Sequence, residues 1–253
     1  MHEHPIRGVS FDAGNTLIYC DPSPPELYAA ALSDLGRRVT PDEVAPVFAA
    51  VWEEMQRRTA PGLDRYAHSP DGARGWWGLF LVEVVERLGH DAPAPLLLDR
   101  LWQDFARPDV WHAYPEARPT LERLARAGLR LAVTSNWDER LPEILARLDL
   151  ERHFQVLTVS HLEGVEKPAG EIFRRTLRRL GLVAAEVAHV GDSPREDYAG
   201  ARDAGLLPVL VDRAGAFSGD GHRRVARLDE LADLLVGEGG GRRGAAEDRC
   251  ATS

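Results

Sequence analysis

The chain has 253 residues, 44% of them apolar, and a formal charge of −9, which suits one large domain, or a core with a modest insertion, around a well-buried interior. That charge excludes general attraction to nucleic acid or acidic membranes, which depends on a positive surface, and no segment has the roughly eighteen uninterrupted apolar residues of a membrane span. The opening MHEHPIRGVSF lacks a basic region followed by an apolar stretch, so a cytoplasmic monomer or homodimer is expected. Cys20 and Cys250 suggest neither a disulfide framework nor a zinc site.

The first strand is expected at 6–11 (IRGVSF); it stops at Asp12, and GNT breaks the run just after. From about 19 to 110 the pattern is helical only. Capping-box patterns open helices at 23–26 (SPPE) and 40–43 (TPDE), and Ser69 followed by Pro70 marks another start. Residues 76–88, apolar at nine of thirteen positions, form the expected centre of a small bundle.

Beyond 110, strands at 129–135, 154–160, 186–191 and 207–212 alternate with helical stretches. Most are too uniformly apolar to have a wet face, so they belong in a parallel sheet covered on both sides, a doubly wound (Rossmann-like) α/β fold. The expected organisation is an α/β core of residues 1–18 and 111–237, an inserted all-helical cap of 19–110, and a flexible tail of 238–253. The GxGxxG at Gly239, Gly241 and Gly244 follows no strand and is assigned to that tail.

In an open parallel sheet, ligands bind outside the carboxyl ends of the strands. Here those ends carry Asp12, Ser135 with Asn136, the approach to Lys167, and GDSPRED at 191–197. Taken singly, each has an ordinary reading: a turn aspartate, a helix cap, a surface lysine before a proline, and turn residues followed by helix-start acids. Their coincidence is the signal. Of 31 lysines and arginines, only Lys167 is a lysine, at the position where the group of strand ends would use a compact ammonium.

FDAGNTL, AVTSN, EKPAGEIF and HVGDSPREDYAGARDAG, in that order along residues 6 to about 236, resemble the motifs of the haloacid dehalogenase superfamily, in particular phosphatase-like members with a helical cap after the first strand. The resemblance implies a hydrolase of a small phosphorylated metabolite, with Asp12 as nucleophile forming an aspartyl-phosphate, and Lys167 and Ser135 as further catalytic groups. Asn15, Thr16 and Asn136 would lie about the phosphoryl group. Mg²⁺ would be held by Asp12, the Gly14 carbonyl and Asp192, with Asp197 holding or orienting its shell. In the cap, Tyr66, His68 and Arg74 are candidates to face the substrate, though each has a bland reading as core or solvated surface; His161 and His189 read as ordinary residues flanking strands.

Gly14 departs from the pattern. Phosphatases of this superfamily usually have a second aspartate there, which protonates the leaving group, and a missing general acid typically costs about 10²–10⁴-fold. A metal-independent 2-haloacid dehalogenase and a catalytically weak binding protein therefore stay open. A phosphonate-cleaving relative with a cap lysine does not, because residues 19–110 contain no lysine.

Overall fold

Residues Gly8–Phe11, all buried, form β1, and the sheet grows outward from it on both sides. The computed structural model describes residues 5–60, 62–67, 69–91, 93–217 and 222–236. The expected tail at 238–253 lies outside the described residues.

β1 pairs in parallel with β4 (Arg130–Ser135) and with β6 (Val187–Gly191), setting Phe11 opposite Val133 on one side and Val190 on the other. With β5 (Val156–Val159), β7 (Leu207–Val211) and β8 (Arg224–Val225) the order is β5-β4-β1-β6-β7-β8, parallel throughout. The two-residue β8 is too short to leave a periodic signal in sequence.

Side-chain alternation divides the interior in two. Val9, Phe11, Leu131, Val133 and Val190 face α5 (Ala117–Arg126), α6 (Leu141–Arg147) and α10 (Asp229–Val236). Ala132, Val156 and Val187 pack with α8 (Gly170–Leu180) and α9 (Gly200–Asp203); the four-residue α7 (Ser160–Glu163) follows β5 directly. Coverage of both faces explains why these strands have no solvated face.

Between β2 (Ile18–Cys20) and β3 (Trp111–Ala113) lie four helices: α1 (Pro24–Asp34), α2 (Pro41–Arg58), α3 (Gly72–Arg87) and α4 (Ala94–Asp104). They surround their own apolar cluster, with Phe80, Leu81 and Val84 of α3 fully buried at its centre. Both expected capping boxes form, at Ser23 with Glu26 and Thr40 with Glu43. Ser69 and Pro70 instead make a turn, in which the Gly72 N–H donates to the Ser69 carbonyl (3.0 Å), so α3 starts only at Gly72.

β2 and β3 pair antiparallel, Ile18 with Ala113 and Cys20 with Trp111, which ties the entrance of the helical segment to its exit. Three-residue strands are below what alternation can reveal, and this ribbon was not expected. Among the described residues no helix is long and apolar enough to cross a membrane.

Candidate active site

The ends of β1, β4 and β6 and the loop before α8 converge on Lys167, which is 1% exposed. Its Nζ donates to Asp12 Oδ1 at 2.6 Å and to Asp197 Oδ1 at 2.5 Å. Ser135 Oγ donates to the same Asp12 oxygen at 2.8 Å. Oxygens of Asp12, Asp192 and Asp197 all lie within 4.8 Å of one another. One ammonium therefore serves three carboxylates.

The charges follow from that imbalance. Burial opposes ionisation of Lys167, but Asp12 and Asp197 outweigh it and hold the ammonium above its ordinary range. Burial, then the neighbouring carboxylates, pushes Asp192 up to about 7. Asp197 goes the other way despite its burial, because Lys167 and His189 favour its anion.

Asp197 sits in a single π-helical turn, Pro194–Ala199, a local widening common at functional sites. Its second oxygen, Oδ2, accepts from the Ser193 N–H at 2.9 Å. Gly191 makes this approach possible: a Cβ there would lie 2.2 Å from Asp197 Cγ, inside any permissible contact.

His189 corrects the sequence expectation, since it belongs to this site rather than merely flanking a strand. Its Nε2 lies 3.0 Å from Asp197 Oδ1 and its Nδ1 3.1 Å from Ser10 Oγ, and Ser10 Oγ lies 2.7 Å from Thr134 Oγ1. A carboxylate only accepts, and burial lowers the pKa of His189, keeping one ring N–H. His189 Nε2 thus donates to Asp197, Ser10 donates to Nδ1, and Thr134 donates to Ser10. A polar seam in an otherwise apolar sheet was the sequence signal for it: Ser10 and His189 are register partners.

Several residues expected to lie about the phosphoryl group have partners within the protein. Both N–H groups of the Asn136 amide are used: Nδ2 donates to the Lys167 carbonyl (2.9 Å) and Glu196 Oε2 (3.0 Å), and Oδ1 accepts from the Lys167 N–H (2.7 Å). It fixes the lysine loop to the end of β4. Asn15, in the left-handed region at φ +53, directs its side chain to Asp192.

Thr16 is fully buried, and its carbonyl rather than its hydroxyl is engaged, by Arg213 Nη2 at 2.9 Å. Arg213, which sequence reasoning missed, also donates to the Asn15 carbonyl (3.2 Å) and is held by Glu116 (2.5 Å) and the Tyr114 ring. Nothing in its local sequence marks it.

The helical segment lies against this site. Tyr66 is buried among Trp76, Trp77 and His161, so it is an interface residue, not a solvated one. Arg74 is exposed, pairs with Asp99 and lies over Trp102, both on the helical segment. His68 lies outside the described residues. Arg65, which was not expected, does reach across. It is buried, with Nε donating to Glu166 Oε2 at 2.7 Å and Nη2 to Glu196 Oε1 at 3.3 Å, beside the Trp52 ring. It joins the helical segment to the neighbours of Lys167 and Asp197.

A family model described as haloacid dehalogenase-like hydrolase matches residues 6–205. The chain belongs to the haloacid dehalogenase-like hydrolases. It is 34% identical over 214 residues to haloacid dehalogenase-like hydrolase domain-containing protein 3 of Mus musculus, covering 83% of each chain. It is 35% identical over 167 residues to a phosphoserine phosphatase of Thermus thermophilus, covering 65% of this chain and 63% of the other. A solved 2-haloacid dehalogenase of Pseudomonas syringae superposes with a TM-score of 0.60 at 28% identity, over 91% of this chain and 98% of that one.

In this haloacid dehalogenase-like hydrolase the donor set fits magnesium. Three carboxylates and a Gly14 carbonyl that accepts no hydrogen bond among the described residues offer only hard oxygen ligands.

A pH dependence follows. Asp192 binds its proton more tightly folded than unfolded, so between its ordinary value near 3.8 and about 7 the folded state holds the extra proton. Stability of the metal-free protein should fall as pH rises through that window. His189, lowered by burial, and His153, lowered by burial and Arg152, oppose this trend, but only below about pH 6.5. Thermal melts in chelator are therefore expected to show a lower Tm at pH 8 than at pH 6.5, and Mg²⁺ to raise Tm more at pH 8. A Mg²⁺ effect equal at both pH values would contradict ligation by Asp192.

Proposed function

We propose that this hydrolase is a magnesium-dependent phosphatase of small phosphorylated metabolites, acting through an aspartyl-phosphate on Asp12. The observation that carries the reading is the single buried ammonium of Lys167 set between Asp12 and Asp197, with an Asp192 oxygen within 4.8 Å of theirs. A haloacid dehalogenase working without metal would leave that third carboxylate uncompensated. The similarity to a phosphoserine phosphatase agrees with phosphoryl transfer.

Ser135 and Lys167 both bind Asp12 Oδ1, which orients the carboxylate and leaves Oδ2 as the attacking atom. Magnesium, when bound by Asp12, Asp192, Asp197 and the Gly14 carbonyl, would neutralise the phosphoryl oxygens. Oδ2 attacks phosphorus in line, and the bond to the leaving oxygen breaks with its electron pair remaining on that oxygen. Lys167 offsets charge on the transferring group, its third N–H being free of the two carboxylates. Water then attacks the phosphorus, the acyl phosphate bond breaks, and Asp12 returns as a carboxylate. The helical segment, joined to the site through Arg65, acts as a cap that limits access of water.

A panel of phosphomonoesters and 2-haloacids, assayed with Mg²⁺ and with chelator, tests this. Phosphate release is expected only with Mg²⁺ and is lost in Asp12→Asn. Full activity in chelator, or halide release from a haloacid, would replace the phosphatase with a dehalogenase.

A further inference from the structure

The position of the usual second aspartate is not simply vacated. Gly14 has no positive φ, so its backbone does not require glycine. What a side chain would meet there is Trp137: a Cβ on residue 14 would lie 3.1 Å from Cζ3 and 3.9 Å from Cη2 of that ring, and the ring would have to give way.

Trp137 is poorly placed to do so. Its N–H donates to Ser160 Oγ (3.1 Å), and its carbonyl accepts from the His161 N–H and Ser160 Oγ (both 3.2 Å). Its ring meets Trp111 edge to face with centroids 4.9 Å apart, and the Trp111 indole N–H donates to the Phe105 carbonyl at 3.0 Å. The tryptophan is thus held by the strand–helix junction after β5 and by the ribbon that carries the helical segment. It is partly buried, packed against the core.

Gly14 and Trp137 each lie two residues beyond a group that bonds at the site, Asp12 and Ser135, on loops leaving the adjacent strands β1 and β4. The ring therefore stands against Gly14, between those loops. It brings an apolar aromatic surface and no titrating proton. The next carboxylate along, Asp138, is engaged elsewhere, by Arg140 at 2.6 Å and the Trp77 indole at 3.3 Å.

We infer that Trp137 is the specificity-determining residue of this site: it fills the space off Gly14 and favours phosphate monoesters of flat aromatic alcohols over those of alkyl alcohols. The inference deepens the phosphatase reading and rests on it. Two properties of the pair act together. An aromatic surface packs best on a flat group, and a site without an acid at position 14 turns over best those esters whose departing oxygen is a weak base.

Binding measurements separate this from turnover. With Mg²⁺ present, phenylphosphonate is expected to bind more tightly than cyclohexylphosphonate, and Trp137→Ala to shrink that preference by about 3–10-fold, the size of one aromatic contact. Melting curves add a readout without ligand. Gly14→Asn, the size of aspartate but uncharged, should lower Tm in the natural protein and cost markedly less in a Trp137→Ala background. Additive Tm changes, equal binding of the two phosphonates, a preference untouched by Trp137→Ala, or binding of neither phosphonate would each overturn the inference. Binding of both with the expected preference, but cleavage of no phosphate ester, would sink the phosphatase reading and leave Trp137 as the selector of a binding site.

Discussion

Lys167→Met is expected to lower kcat by at least about 10²–10³-fold, the loss typical when one preorganised charge-stabilising donor is removed, in a protein that still folds at neutral pH with Mg²⁺. Methionine is close to lysine in length and apolar, so it suits a side chain that is 1% exposed. It leaves Asp12 and Asp197 with no shared cation, and breaking a buried pair on one side costs about 3–5 kcal/mol. Part of that cost should disappear when Mg²⁺ supplies the missing charge, so the variant's Tm should depend on Mg²⁺ more steeply than the natural protein's. Lys167→Arg should lose activity as well. A planar guanidinium cannot place one nitrogen within 2.6 Å of Asp12 and 2.5 Å of Asp197 in a space already filled by an ammonium. Circular dichroism, melting curves and steady-state kinetics on the best ester of the panel provide the check. A Lys167→Met protein with near-natural kcat would remove the lysine from the reaction.

Gly191→Ala should be almost as damaging through one added methyl group. That methyl would sit 2.2 Å from Asp197 Cγ and 2.6 Å from its Cβ, so the carboxylate must move. Overpacking alone typically costs about 1–3 kcal/mol. Here it also pulls Asp197 from Lys167, His189 and the Ser193 N–H, which together fix it. The expected outcome is a Tm several degrees lower and Mg²⁺ affinity weakened at least about tenfold, as for loss of a group that orients metal ligands. Isothermal titration with Mg²⁺ and a melting curve are sufficient. Unchanged Mg²⁺ affinity would show that Asp197 serves only to hold the lysine.

Much of the site could be read from the sequence because a parallel sheet forces it. Once uniformly apolar runs alternate with helices, the residues just past each run must meet at one edge. Asp12, Ser135, Lys167, Asp192 and Asp197 come together at that edge. The helical segment was equally legible, since capping boxes and a broad apolar stretch are local signals carried within a few turns of chain.

What the sequence could not decide were relations between distant residues. Arg65 and Arg213 look like any of the other arginines until folding sets one between Glu166 and Glu196 and the other against the carbonyls of residues 15 and 16. The Asn136 amide reads as a phosphate donor until both its N–H groups are seen to be engaged by Lys167 and Glu196. His189 reads as a strand residue until Asp197, turned back by a π-helical turn, meets its ring. Gly14 is the sharpest case. The sequence shows a missing aspartate, and only the fold shows Trp137, more than a hundred positions away, occupying the space beside it. Strand ends and helix caps are set by patterns a few residues long; occupancy of a space is set by whichever side chain the tertiary packing brings there, and one-dimensional periodicity carries no record of it.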